Sequence, residues 1–226
     1  MDYNQIPMIL TLAFGLGLLH SLDADHIMAV SNLASGRPNL KITVQFCLRW
    51  AIGHGLTLFI IGLLVFALGY SLPSTISLYA EFVVGIILVA IGIVVLFDAF
   101  RKHAHIHFHK HDGLPAHAHW HSHKKEKSHR HTHTALFVGM VHGLAGSAPL
   151  LALIPVAMSN KPVYGFIYLV IFSMGVLCAM LLFGGVLGLF TKKIIDISES
   201  LFSWVRGALG FGAIGAGMLV IYRIVQ

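Results

Sequence analysis

The apolar run GLLHSLDADHIMAV, residues 17–30, contains two imidazoles and two carboxylates where a membrane span would be expected: His20, Asp23, Asp25 and His26. An ionisable side chain at the bilayer centre costs about 2.5 to 3.5 kcal/mol on insertion scales, so this group belongs in a protein interior and not against lipid. Imidazole with carboxylate and no thiolate suits nickel, cobalt, zinc or manganese, and argues against copper(I) or an iron–sulfur cluster.

On a regular helix His20, Asp23 and His26 fall three apart and trace a slanted stripe, whereas Asp25 points nearly opposite to Asp23. One unbroken helix cannot aim both aspartates at one point. Either Asp25 has a separate partner or the helix unwinds near LDAD. His20 and His26 also stand about 9 Å apart along an ideal helix, wider than the i, i+4 histidines of H-E-x-x-H. A broken helix, or two successive sites along a path, fits the spacing better than simple chelation.

Two further imidazoles lie in other apolar runs, His54 in AIGHGLTL and His142 in GMVHGLAGSAP. Each alone reads equally well as an interhelical hydrogen-bonding residue. With the first cluster they make a candidate metal set of His20, Asp23, Asp25, His26, His54 and His142, with Ser147 and Asn32 as outer polar groups. A structural ion-pair role competes with this, but it needs buried cations for two aspartates, and Arg49 and Arg206 sit near the ends of their runs. A divalent ion or transported protons answer that charge better.

A third group is compositional. Residues 103–133 carry His103, His105, His107, His109, His111, His117, His119, His121, His123, His129, His131 and His133, largely as alternating H-x-H. Such a tract cannot build a packed core and reads as a flexible accessory metal-binding loop. A solvated or pH-responsive linker is the alternative. A flexible chain is poorly placed to form a selective site.

The elements that must position these groups are helical. The chain is 57% hydrophobic and 11% charged, with a mean hydropathy of +0.81, which marks an integral membrane protein. The basic balance is concentrated in the histidine-rich interval and at helix ends, which excludes a nucleic-acid surface. Cys47 and Cys178 show no C-x-x-C spacing, so neither a disulfide scaffold nor a thiolate cage is expected. The first run follows Asp2 with no Lys or Arg and no small-residue cleavage site, which argues against a removable signal peptide.

Six runs are long enough to cross a bilayer: 7–32, 43–70, 77–100, 135–158, 163–190 and 201–224. They predict an all-α integral membrane protein of six transmembrane helices, divided into a three-helix unit at 1–100, a loop at 101–134 and a second unit at 135–226. Lys and Arg fall mostly in alternate loops, including 101–134, which are therefore expected to be cytoplasmic, with both termini outside. Sliding the sequence by 122 residues lays Gly17 on Gly139, His20 on His142, Leu22 on Leu144, Gly53 on Gly175, Gly62 on Gly184 and Gly85 on Gly207. Three spans per unit make the second copy inverted, a 3+3 inverted repeat with its site near the midplane between the copies.

With these residues in hand, the chain resembles the nickel/cobalt transporter superfamily (NiCoT/NicO) and, within it, the UreH-like branch associated with urease maturation. HSLDADHI resembles the family's first signature, AIGHGLT its second, and HGLAGSAPLL the UreH-like pattern of the second half. The resemblance implies that His20, Asp23, Asp25 and His26 are required for metal transport, with His54 assisting. The repeat mates of Asp23, Asp25 and His26 are Ala145, Ser147 and Ala148, so the second half departs from that chemistry.

The expectation is a non-enzymatic secondary transporter for Ni2+, with Co2+ or Zn2+ as alternatives. It holds no resident cofactor, and uptake is the expected direction. A metallochaperone downstream is the expected partner besides the lipid bilayer; the oligomeric state is left open. Rival readings are a proton-coupled exporter, a thiol-redox carrier and an intramembrane metalloenzyme. The redox carrier needs paired cysteines at equivalent repeat positions, and the mate of Cys47 is Leu169. The metalloenzyme needs an open coordination position beside a substrate cleft.

Overall fold

A computed structural model describes residues 5–35, 39–67, 74–101, 108–109, 117–118, 132–145 and 162–226. The helices are α1 (Gln5–His20), α2 (Ala24–Ser35), α3 (Leu40–Gly62, continued by a π-helical turn over Leu63–Ala67), α4 (Ser74–Arg101), α5 (Thr132–Leu144), α6 (Pro162–Ile197) and α7 (Glu199–Val225). Two residues of β1 (Phe108–His109) pair antiparallel with two of β2 (His117–Ala118). This adds a short ladder to an interval that composition reads as loop.

Local chemistry fixes the helix ends. The Asn39 side chain accepts from the backbone N–H groups of Lys41 and Ile42, at 2.9 and 3.3 Å, and so opens α3. Ser198 does the same for Leu201 at the start of α7, with Glu199 in the first turn. The break between α1 and α2 is closed by tight i to i−3 bonds, Leu22 N–H to Leu19 O and Asp23 N–H to His20 O, while Ile27 N–H to Asp23 O begins the next helix.

Among the described residues, four helices are long and apolar enough to cross a membrane: Leu40–Val65, Thr75–Ala99, Val163–Ile197 and Glu199–Val225. The pair Pro7–His20 and Ala24–Ser35, bent by 54°, makes a fifth when counted as one broken span. The predicted fourth run is represented by the short apolar helix Thr134–Leu144, and its continuation from 146 to 158 lies outside the described residues. Large apolar side chains such as Trp204, Leu182 and Phe97 are exposed, as lipid-facing groups must be. The chain is a multi-pass integral membrane protein. Its core is built around Trp50, Leu58, Leu88, Tyr168, Phe172 and Met180, all fully buried.

Helix α1 packs on α6, α3 on both α5 and α6, α4 on α7, and α2 on α7. Close approach depends on glycine, because a side chain would collide with the neighbouring backbone. A Cβ at Gly17 would lie 2.1 Å from Phe172 O, and one at Gly139 2.1 Å from Trp50 O. A Cβ at Gly53 would lie 2.1 Å from Leu136 O, and one at Gly175 2.3 Å from Phe14 O. Phe172 follows Trp50 by 122 residues, and Leu136 follows Phe14 by the same interval. The α1/α6 and α3/α5 interfaces therefore use matching residues in matching register.

Candidate metal site at a helix break

His20 is the last residue of α1, and Asp25 and His26 stand in the first turn of α2. The break between them removes the 9 Å separation a continuous helix would impose: the His20 and His26 rings lie 4.7 Å apart, edge to face. Both alternatives open in the sequence hold: the helix unwinds at LDAD, and Asp25 has a partner of its own. Asp23 and Asp25 take different partners as a result. Asp23 Oδ2 lies 3.0 Å from His20 Nδ1, and Asp25 Oδ1 lies 3.0 Å from His26 Nδ1. The second contact is close in distance but lacks hydrogen-bond alignment, since both ring nitrogens of His26 are without a hydrogen-bond partner.

Helix α3 supplies His54 and α5 supplies His142, both wholly buried. His20 Nε2 and His54 Nε2 are 3.2 Å apart. Two nitrogens each about 2.0 to 2.1 Å from one tetrahedral ion would stand roughly 3.3 Å apart. His142 Nδ1 lies 2.8 Å from the carbonyl of Val138. A carbonyl only accepts, so Nδ1 carries the proton and the unpartnered Nε2 keeps its lone pair. The contact from His20 Nδ1 to Asp23 does the same for His20, in the manner of a carboxylate that orients a metal-binding imidazole.

The result is two overlapping groups. Donor atoms of His20, His26 and His54 lie within 4.8 Å of one another, and so do those of Asp25, His26 and His142. His26 belongs to both. Its two nitrogens, His54 Nδ1 and His142 Nε2 are buried without hydrogen-bond partners among protein atoms, and an ion bound here would take one nitrogen from each ring, among them His142 Nε2. Aromatic walls hold the imidazoles: Trp50 stacks on His54 at 5.3 Å and meets His142 at 5.7 Å, and Phe172 lies 5.6 Å from His20. The last two contacts are 122-residue mates of each other.

A cavity of about 250 Å³ reaches this cluster, lined by His20, Asp23, Asp25 and His26 and by Glu81, Val84, Ala145, Val220 and Arg223. Glu81 and Arg223 escaped the sequence reading. Glu81 had a visible signal, as a carboxylate near the start of the third apolar run.

The other sequence candidates lie elsewhere. Asn32 Nδ2 donates to Met28 O and to Leu209 O, tying α2 to α7. Arg206 faces Asp98 at 3.9 Å, so its carboxylate partner is neither aspartate of the cluster. Ser147 and His103, His105, His107, His111, His119, His121, His123, His129 and His131 fall outside the described residues. His109 and His117 are backbone partners in the β1/β2 register, and His133 stands in α5.

Fold and site thus define a multi-pass helical membrane protein with buried histidines at a broken helix, beside a partly buried Asp25 and a half-exposed Asp23. Residues 12–219 match the family described as the cytochrome C biogenesis protein transmembrane region, and the chain belongs to that family. It is also 32% identical over 189 residues to the urease accessory protein UreH of Bacillus sp. (strain TB-90), covering 84% of this chain and 80% of that protein. No solved structure matches the chain.

Proposed function

We propose that the chain is a secondary carrier of a divalent transition-metal ion, nickel first and cobalt next, through the His/Asp cluster. The observation that carries this reading is the pair of donor groups sharing His26. An ion held by His20, His26 and His54 exchanges His20 and His54 for Asp25 and His142 without ever leaving His26. The step replaces neutral ligands by a carboxylate and moves the ion toward the second half of the chain. Similarity to a urease accessory protein and the HSLDADHI resemblance favour nickel.

The architecture proposed is six spans in a 3+3 inverted repeat, units 1–100 and 135–226, with 101–134 as a cytoplasmic loop and both termini outside. The equal spacing of the two glycine-lined interfaces supports it. A dication entering along a 100 mV potential gains about 4.6 kcal/mol, at roughly 2.3 per charge. Uptake therefore needs no ATP, and the histidine loop receives the ion before a metallochaperone. An exporter would instead need coupling to protons at Asp23 or Asp25.

The family description also favours a thiol-redox carrier. That reading requires a dithiol, and here Cys47 is a buried free thiol while Cys178 is an exposed one. The test is radioactive nickel flux in proteoliposomes. Flux in the parent that disappears with His26→Ala, and falls at low nickel concentration with Asp23→Asn, supports the carrier. A parent that moves no nickel but passes electrons between thiols on the two sides overturns it.

A further inference from the structure

The cavity and the opposite end of the bundle differ at positions related by the 122-residue offset. Val84 on α4 and Val220 on α7 line the cavity that reaches the cluster. Their mates are Arg206 on α7 and Asp98 on α4. Along α4 the step from Glu81 to Asp98 is about 25 Å, as is the step from Arg206 to Arg223 along α7. The two pairs therefore sit at opposite ends of one antiparallel helix pair. At the first end small apolar side chains leave space. At the second a guanidinium fills it: Arg206 is 4% exposed, faces Asp98 Oδ2 at 3.9 Å and lies over the Phe202 ring at 5.9 Å.

A second contact closes the same end. Asn32, buried near the end of α2, donates to the carbonyl of Leu209, one turn along α7 from Arg206. On the site side of that bond, Met28 packs on Gly212, where a Cβ would lie 3.2 Å from Sδ. Helices α2 and α7 are thus joined in register from the metal cluster down to the guanidinium. The cavity at the Glu81 and Arg223 end does not include these residues in its lining.

We infer that Arg206 and Asp98, with the Asn32 clamp, form the closed gate on the far side of the metal cluster. The inference rests on the carrier reading. In the alternate state α4 and α7 part at this end. The pair breaks, and the ion leaves past Asp98. A buried arginine at this place also repels a dication while the gate is shut, so the path is blocked by charge as well as by bulk.

The experiment uses the full chain in vesicles of defined orientation, with Cys47→Ala and Cys178→Ser to remove the native thiols and Met28→Cys as reporter. A membrane-impermeant maleimide is added on the Arg206 side. Arg206→Val, which installs the residue of the open end, and Asp98→Asn are each expected to raise the labelling rate at least tenfold. Arg206→Lys, which keeps the cation, should stay near the parent. Asp98 is half-exposed, so its variant carries the test if Arg206→Val does not fold. Labelling that stays at the parent rate in every folded variant overturns the gate, as does a rise of equal size with Arg206→Lys. The readout needs no metal. Faster labelling in a chain that carries no nickel would keep the gate and remove the carrier, and unchanged labelling with nickel flux intact would do the reverse.

Discussion

The two halves of the chain set their helices alike and furnish them differently. Gly17 and Gly139 press against Phe172 and Trp50 with the same 2.1 Å demand, and those aromatic residues lean on His20 and His142 at nearly the same distance. Beyond the shared histidine the likeness ends. The first half continues with Asp23, Asp25 and His26, the second with Ala145, Ser147 and Ala148. The same close packing recurs in both halves, while the carboxylates of the cluster stand in one. For the proposed carrier, matched packing would provide equivalent routes in and out, and the one-sided donor set would put the binding free energy at a single place along them.

That comparison can be broken most severely at His26, the one imidazole in both donor groups. His26→Ala should weaken nickel binding by about 100-fold, or about 2.7 kcal/mol, measured by calorimetry on the detergent-solubilised protein lacking residues 103–131. His142→Ala touches one group only and should cost about tenfold. Equal losses would mean that the halves contribute equally.

The packing half of the comparison is tested at the glycines. Gly17→Val and Gly139→Val should each destabilise the fold by about 1 to 3 kcal/mol or more, since the clash is with backbone. Their losses in thermal stability should be similar. Gly207→Ala meets nothing within 4 Å and should raise stability by about 0.5 to 1 kcal/mol. Unequal losses at Gly17 and Gly139 would remove the symmetric frame.

Asp23→Asn keeps the shape of the side chain but weakens its hold on His20 Nδ1, and should lower nickel affinity by about tenfold, the lower range for groups that orient a ligand. Asp23→Ala should cost more. The smallest effect is expected from deleting residues 103–131. Affinity at the buried cluster should change by less than about twofold, while the number of ions bound per chain, counted by equilibrium dialysis, should fall.

Much of the site was legible in the sequence because membrane burial makes ionisable residues conspicuous. His20, Asp23, Asp25, His26, His54 and His142 stood out from their apolar surroundings, and all but Asp23 enter the two donor groups. The conflict between Asp23 and Asp25 on one helix pointed either to a break or to a separate partner for Asp25. Periodicity could not say which of the open alternatives held, since a helix end depends on bonds such as Asp23 N–H to His20 O, and these leave no compositional trace. The shared role of His26 was also hidden, as it arises from three helices meeting. Arg206 was read as a residue near a helix end. Only the pairing of α4 with α7 reveals its burial against Asp98. The fold was legible to the level of apolar helices, with boundaries within a few residues for the third, fifth and sixth runs except at the carboxyl end of the fifth. That helix continues to Ile197, past Lys192 and Lys193, because charge ends a membrane span without ending a helix.

X-ray absorption at the nickel edge, on the loaded chain lacking residues 103–131, addresses the central claim most directly. One nickel per chain, with imidazole and oxygen scattering and no sulfur, and with the imidazole signal lost in His26→Ala, is the expected result. Sulfur in the first coordination shell, or an imidazole signal unchanged by His26→Ala, would contradict the assignment of the metal to the helix break.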